Sequence, residues 1–268
     1  METLRAACIQ MNSTDDKSAN LLQAASLLEK AAGQGACLAL LPENFACMAA
    51  NDAGRQAAAE DESDSYVLDF LAEQAAKLGM TVIGGSVLLR GGDGEKLRNA
   101  SVVFNASGER LAVYDKMHLF DIELEGESYR ESDSIQPGKL PQIAHLEGWD
   151  VGLSICYDLR FPELYRHYSA SGCQLLTVPA AFTVPTGKAH WKTLLRARAI
   201  ENQCYVMAAG QWGTHPGGRR TWGHSMIIDP WGEVLERRKE GDAVLVADLT
   251  QRNLESVRSR LPALKHRR

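Results

Sequence analysis

Short apolar runs recur about a dozen times along this chain, while only four or five stretches carry a helical period, and that imbalance limits the folds open to it. The runs fall at residues 4–10, 37–41, 81–89, 100–104, 111–114, 151–155, 174–178, 205–209, 225–228, 234–236 and 243–247. Helical spacing follows Asp15 and Asp16, where Leu21, Ala24, Ala25, Leu28 and Ala32 share one face before Gly33. It returns over 66–78, ahead of Gly79, and over 162–170 and 188–202. Asn105-Ala106-Ser107-Gly108 is a polar turn between two apolar runs, which predicts a hairpin. Residues 117–141 are acidic, with two prolines and two glycines, and read as a long ordered loop of the functional kind. So many strands exceed a simple doubly wound sheet, yet the alternation at both ends resists an all-β reading. Two sheets, each covered by helices on one side, satisfy both facts.

A chain of 268 residues, 45% hydrophobic, can bury a large core, and without linker or repeat one domain spanning 1–268 is the default. The net charge is −5 and the basic residues are dispersed, so nucleic acid is not an expected partner. Lys265-His266-Arg267-Arg268 reads as a solvated basic end. The first residues carry no basic, long-apolar, small-residue pattern of a secretory leader, and no apolar stretch reaches the roughly 18 residues needed to span a bilayer. A cytoplasmic protein without a membrane partner is expected. Cysteines at 8, 37, 47, 156, 173 and 204 show no zinc-ligand spacing, which fits reduced thiols and no metal. Most sit in apolar segments, where cysteine acts as a small hydrophobe. Cys156 does not.

Three segments can do chemistry. In Leu40-Leu41-Pro42-Glu43-Asn44-Phe45 a buried strand, broken by proline, delivers a carboxylate at its C-terminal end. Desolvation would raise the Glu43 pKa and suit a general base, although the residue could also cap the next turn or pair with a surface cation. In Tyr114-Asp115-Lys116-Met117-His118 a strand runs out into a lysine that can stabilise an oxyanion, or else guard a sheet edge. His118 reads as a hydrogen-bonded structural histidine. In Ile155-Cys156-Tyr157-Asp158-Leu159-Arg160-Phe161-Pro162-Glu163 a strand ends at a thiol and Pro162 opens a helix, the thiol version of a nucleophile elbow. Backbone N–H groups and the helix N-terminus there favour thiolate, and the alternative is a buried inert cysteine.

The order Glu in LPENF, Lys in YDKMHLF and Cys in ICYDLRFPE resembles the Glu-Lys-Cys set of the nitrilase superfamily of carbon–nitrogen hydrolases. VPAAFTVPTGKAHWKTLLRARAIENQCYVMAAGQWG and GHSMIIDPWGEV resemble the family's later blocks, so the likeness spans nearly the whole chain and is nearest to the Nit branch. The resemblance implies a four-layer αββα sandwich, usually a homodimer. It also implies an amidase that cleaves deaminated glutathione (α-ketoglutaramyl-cysteinylglycine) to 2-oxoglutarate and cysteinylglycine, with no cofactor. An ω-amidase acting on 2-oxoglutaramate, or another small-amide or N-carbamoyl hydrolase, shares the same three residues. A scaffold or binding module with a vestigial triad is the non-enzymatic alternative.

By the same resemblance Glu43 is the base, Cys156 the nucleophile, and Lys116 with the Tyr157 backbone N–H the oxyanion site. A second glutamate matches Glu131 in YRESDSIQPG, with Glu127 or another nearby acid as the alternative match. Arg160 and Phe182, with Thr186, would line the acyl pocket. A planar bidentate guanidinium suits a 2-oxo acid carboxylate, although an internal ion pair of Arg160 with Asp158 or Glu163 is the competing reading. Residues 46–62 could form either a lid or a surface helix.

Overall fold

The computed structural model describes residues 2–92, 96–124, 127–146 and 148–268. Two sheets form its centre. In the first, Thr3–Gln10 lies between antiparallel Ala243–Thr250 and parallel Leu38–Leu40, followed by Thr81–Ile83 and Leu97–Phe104. Val87–Arg90 continues along the same edge of Leu97–Phe104 as Thr81–Ile83, and Arg110–Asp115 takes the other edge. The second sheet runs Val234–Arg238, Ser225–Ile228, Tyr205–Ala208, Leu175–Thr177, Trp149–Leu153 and Ile143–Leu146.

Alternation along the first strand explains why its apolar run is continuous. Ala6 and Cys8 enter the core shared with the second sheet, whereas Ala7 and Ile9 enter the core beneath helices Lys17–Gly33 and Tyr66–Leu78. Helices Pro162–Ala170 and Lys192–Asn202 cover the other sheet, with Tyr165, Tyr168, Leu195 and Ala199 buried on it. Helix, sheet, sheet, helix is the four-layer sandwich expected. Among the described residues no helix is long and apolar enough to cross a membrane.

The loop expected over 117–141 holds more order than its composition suggested. Asp121–Leu124 and Glu127–Arg130 pair as a hairpin, Asp121 opposite Arg130, followed by a short turn at Glu131–Asp133. Segment 46–62 contains the helix Asp52–Ala58, whose Asn51 cap accepts from Gly54 N–H. The helix expected over 188–202 begins with a wide turn at Gly187–Trp191, where a side chain at position 187 would strike Trp222. A last helix, Gln251–Arg260, and a hairpin of Trp212–Thr214 with Arg220–Trp222 had no expected counterpart.

The run at 81–89 is broken, and the break positions a functional segment. Gly85 takes φ 53°, and a Cβ there would lie 2.1 Å from Pro42 O and 2.4 Å from Leu41 O. The neighbouring Ser86 hydroxyl accepts from Asn44 N–H at 3.0 Å. Both contacts press on the bend that carries Glu43. Gly85→Ala is therefore expected to cost about 3 kcal/mol or more in a urea or thermal melt, since only backbone could yield. Gly79→Ala, at φ 60° with nothing within 4 Å, should cost only about 1 kcal/mol, and equal losses would refute the close-approach explanation.

Candidate active site

Strand Trp149–Leu153 ends three residues before Cys156, which adopts φ 50° and opens a tight turn over Cys156–Arg160. A non-glycine residue in the left-handed region is strained, at a cost of about 1–3 kcal/mol, and persists only where its surroundings hold it. Cys156 N–H donates to Pro179 O at 2.8 Å, and Pro162 starts the next helix. The fully buried Asp158 accepts from Ile155 N–H at 2.8 Å, the Tyr114 hydroxyl at 2.8 Å and His118 N–H at 3.0 Å. It also meets His118 Nδ1 at 2.7 Å, and the imidazole stacks on Phe161 at 3.7 Å. One carboxylate thus ties the elbow to the residues on either side of Lys116. His118 sits in that framework, as a structural histidine would.

The three distant segments converge. Lys116 Nζ lies 3.0 Å from Glu43 Oε1 and 2.8 Å from Glu131 Oε2, with Lys116 and Glu43 buried and Glu131 partly so. Glu43 Oε2 accepts from Ala181 N–H at 2.8 Å, and the Cys156 thiol is near enough to the same carboxylate to feel its charge. Glu131 also accepts from Phe120 N–H at 2.7 Å. The Glu127 side chain lies outside the described residues. Asn99, which the sequence reading overlooked, donates to Glu43 at 3.1 Å and to Glu131 at 3.3 Å, bridging the two acids. The sequence carried little signal for it, since strand Leu97–Phe104 also holds Arg98 and Ser101.

Two electrostatic expectations are overturned. Burial pushes the Glu43 pKa up, but the Lys116 charge, the neighbouring Cys156 thiol, the hydrogen bond from Lys116 and the Arg219 charge together hold it below its ordinary 4.5. Burial pushes the Cys156 thiol well above its ordinary 9.0, and the Glu43 charge adds to that more than Lys116 relieves it. Burial disfavours the Lys116 ammonium too, yet the Glu131 and Glu43 charges outweigh it and keep the group protonated. At rest the site is a thiol beside an ionised acid, not a thiolate.

These groups open on a cavity of about 300 Å³. Tyr157, Phe182 and Thr186 line it, as do Glu131 and all three convergent residues. Arg160 is not among its walls: its Nη1 meets His190 Nδ1 at 3.2 Å and its guanidinium lies over the Tyr157 and Phe182 rings from outside. Met48, Asp52 and Arg55 supply one side, so part of the 46–62 segment is both helix and cavity wall. Tyr157 N–H has no acceptor among the described residues, leaving it available at the elbow.

The carbon–nitrogen hydrolase family profile matches residues 5–259. A deaminated glutathione amidase of Synechocystis sp. is 41% identical over 274 residues, taking in 100% of this chain and 99% of the relative. An omega-amidase of Danio rerio is 38% identical over 269 residues, 100% of this chain and 96% of the relative. Among solved structures, Saccharomyces cerevisiae Nit3, of branch 10 of the nitrilase superfamily, superposes with a TM-score of 0.91 at 30% identity, covering 100% of this chain and 97% of Nit3. Relatives matched from end to end share a sandwich with this arrangement of layers, and the chain accordingly belongs to the carbon–nitrogen hydrolase family and cleaves carbon–nitrogen bonds other than peptide bonds.

Proposed function

We propose that this chain hydrolyses deaminated glutathione to 2-oxoglutarate and cysteinylglycine through a thioester on Cys156. The observation that carries the chemistry is the meeting of a buried thiol, a carboxylate and the ammonium paired with it on one cavity wall. The substrate rests on the full-length identity to the cyanobacterial amidase. Glu43 takes the thiol proton as sulfur attacks the amide carbonyl, and Lys116 with Tyr157 N–H holds the oxygen as it becomes negative. The C–N bond then breaks, and the departing amine receives the proton from Glu43. Water, deprotonated by the same carboxylate, attacks the thioester; the C–S bond breaks and the thiol regains its proton. Glu131 and Asn99 hold Lys116 and Glu43 in register throughout. The assembly proposed is a single-domain, cytoplasmic homodimer, whose mass in solution sedimentation can measure.

A second reading has support from the zebrafish relative: an ω-amidase that releases ammonia from 2-oxoglutaramate. The expected result is a higher kcat/KM on deaminated glutathione than on 2-oxoglutaramate. A reversed ranking establishes the second reading, and turnover of neither removes both.

The active form pairs ionised Glu43 with protonated Cys156, so kcat/KM, which reports the free enzyme, should stay level over a wide range. Its acid limb belongs below 4.5 and its alkaline limb above 9.0. The sign for stability follows: a carboxyl whose folded pKa is depressed contributes stability above its unfolded value, lost as pH falls through the folded one. A pH profile with an acid limb near neutrality, in protein still folded, would contradict this protonation scheme.

A further inference from the structure

Three guanidinium groups border the cavity alongside Lys116, and they are not equivalent. Arg55 is paired with Asp52 at 3.1 Å, and Arg130 with Glu123. Arg219 has no carboxylate within ion-pair distance among the described residues. Its Nη2 donates to Ala181 O at 2.8 Å and its guanidinium lies over the Tyr129 ring at 5.4 Å. Nη1 has no partner among the described residues, and the Nε–H, sealed from solvent, has none there either. A charged donor left so poorly satisfied is costly unless something that binds there completes it.

The loop that carries Arg219 is also well fixed. His215 N–H donates to Arg219 O at 2.8 Å, and the buried His215 ring spans Ser13 O at 2.8 Å and Thr221 Oγ1 at 2.7 Å. Trp222 N–H then donates to Phe182 O at 2.8 Å, and the Gln211 side chain reaches Glu43 O at 3.1 Å. The guanidinium is thereby held in the same framework as the carboxylate that serves Cys156. Preorganised donors of this kind bind with little ordering cost.

We propose that Arg219 is the carboxylate receptor of the site, its unpartnered Nη1–H and the second Nη2–H donating side by side to a carboxylate of the bound amide. This deepens the function proposed above and rests on it: a 2-oxo acid amide carries one carboxylate on its acyl part, and cysteinylglycine adds another at the far end. Planar two-point donation sets orientation as well as affinity, so the amide carbonyl arrives over Cys156 in one pose.

The test compares wild type, R219Q and R219K on 2-oxoglutaramate, on deaminated glutathione, and on counterparts whose carboxylates are capped as methyl ester or carboxamide. R219Q is expected to lose about 10- to 100-fold in kcat/KM on the carboxylate-bearing amides, mostly through KM, and to change little on the capped ones. R219K, which keeps the charge but not the fork, should recover part of the loss. A loss on both acids assigns the 2-oxo acid carboxylate; a loss only on deaminated glutathione assigns the glycine carboxylate. Equal losses on charged and capped amides, or none, overturn the proposal and leave Arg219 as a brace for Ala181. Wild type inactive on both 2-oxo amides rejects the substrate reading instead, and a carboxylate-bearing amide that it does cleave, set against its capped form, still judges Arg219.

Discussion

Cys156→Ala is expected to lower kcat by about 10⁴-fold or more on every amide the native protein cleaves, because no other group at the site can form the acyl intermediate. Glu43 remains as a base that can activate water, so a small residual rate is allowed. The fold should be little affected: the substitution removes one sulfur from a buried position, and alanine, like cysteine, carries a Cβ, so the strain of the turn at φ 50° is about unchanged. Steady-state rates with a matched melting curve make the measurement, and rapid quenching of wild type should show the acyl mass on the peptide bearing Cys156. An alanine variant that kept more than a few per cent of turnover, or an acyl mass found elsewhere, would end the thioester route.

Lys116→Ala should damage both rate and fold. Loss of an oxyanion donor costs about 10²- to 10³-fold in kcat. The ammonium also separates Glu43 from Glu131, and its removal leaves two buried carboxylates joined only through Asn99. Breaking a buried pair by deleting one partner costs about 3–5 kcal/mol. The loss has a predicted pH signature. With the chief charge that depresses it gone, Glu43 titrates higher, so the variant should recover stability relative to wild type as pH falls from 7 toward 5 and the acids protonate. Urea melts at the two pH values check this. A destabilisation independent of pH would mean that lost packing, not charge, is the cause.

The layers were legible because a strand buried on both faces leaves an unbroken apolar run, as Thr3–Gln10 does. The pairing of Asp121–Leu124 with Glu127–Arg130 was not, since half-exposed alternation such as Asp121-Ile122-Glu123 looks like any acidic loop. Helix Gln251–Arg260 escaped because only Leu254 and Val257 of its ten residues are buried, too few to print a period. Within the site, Glu43, Lys116 and Cys156 could be read because each ends or follows an apolar run. Asn99 and Arg219 could not, since their value depends on acceptors and cavities built by other segments. The same reason reversed the Glu43 pKa: apolar neighbours are visible in sequence, whereas an ammonium 73 residues away is not.

The protonated resting state of Cys156 bears on how such a protein endures chemical insult. Peroxide, alkylating agents and mixed disulfides all capture sulfur as its anion. A nucleophile that keeps its proton until a carbonyl settles above it meets those reagents more slowly than a standing thiolate would, so the proton transfer that starts the reaction also slows damage between turnovers.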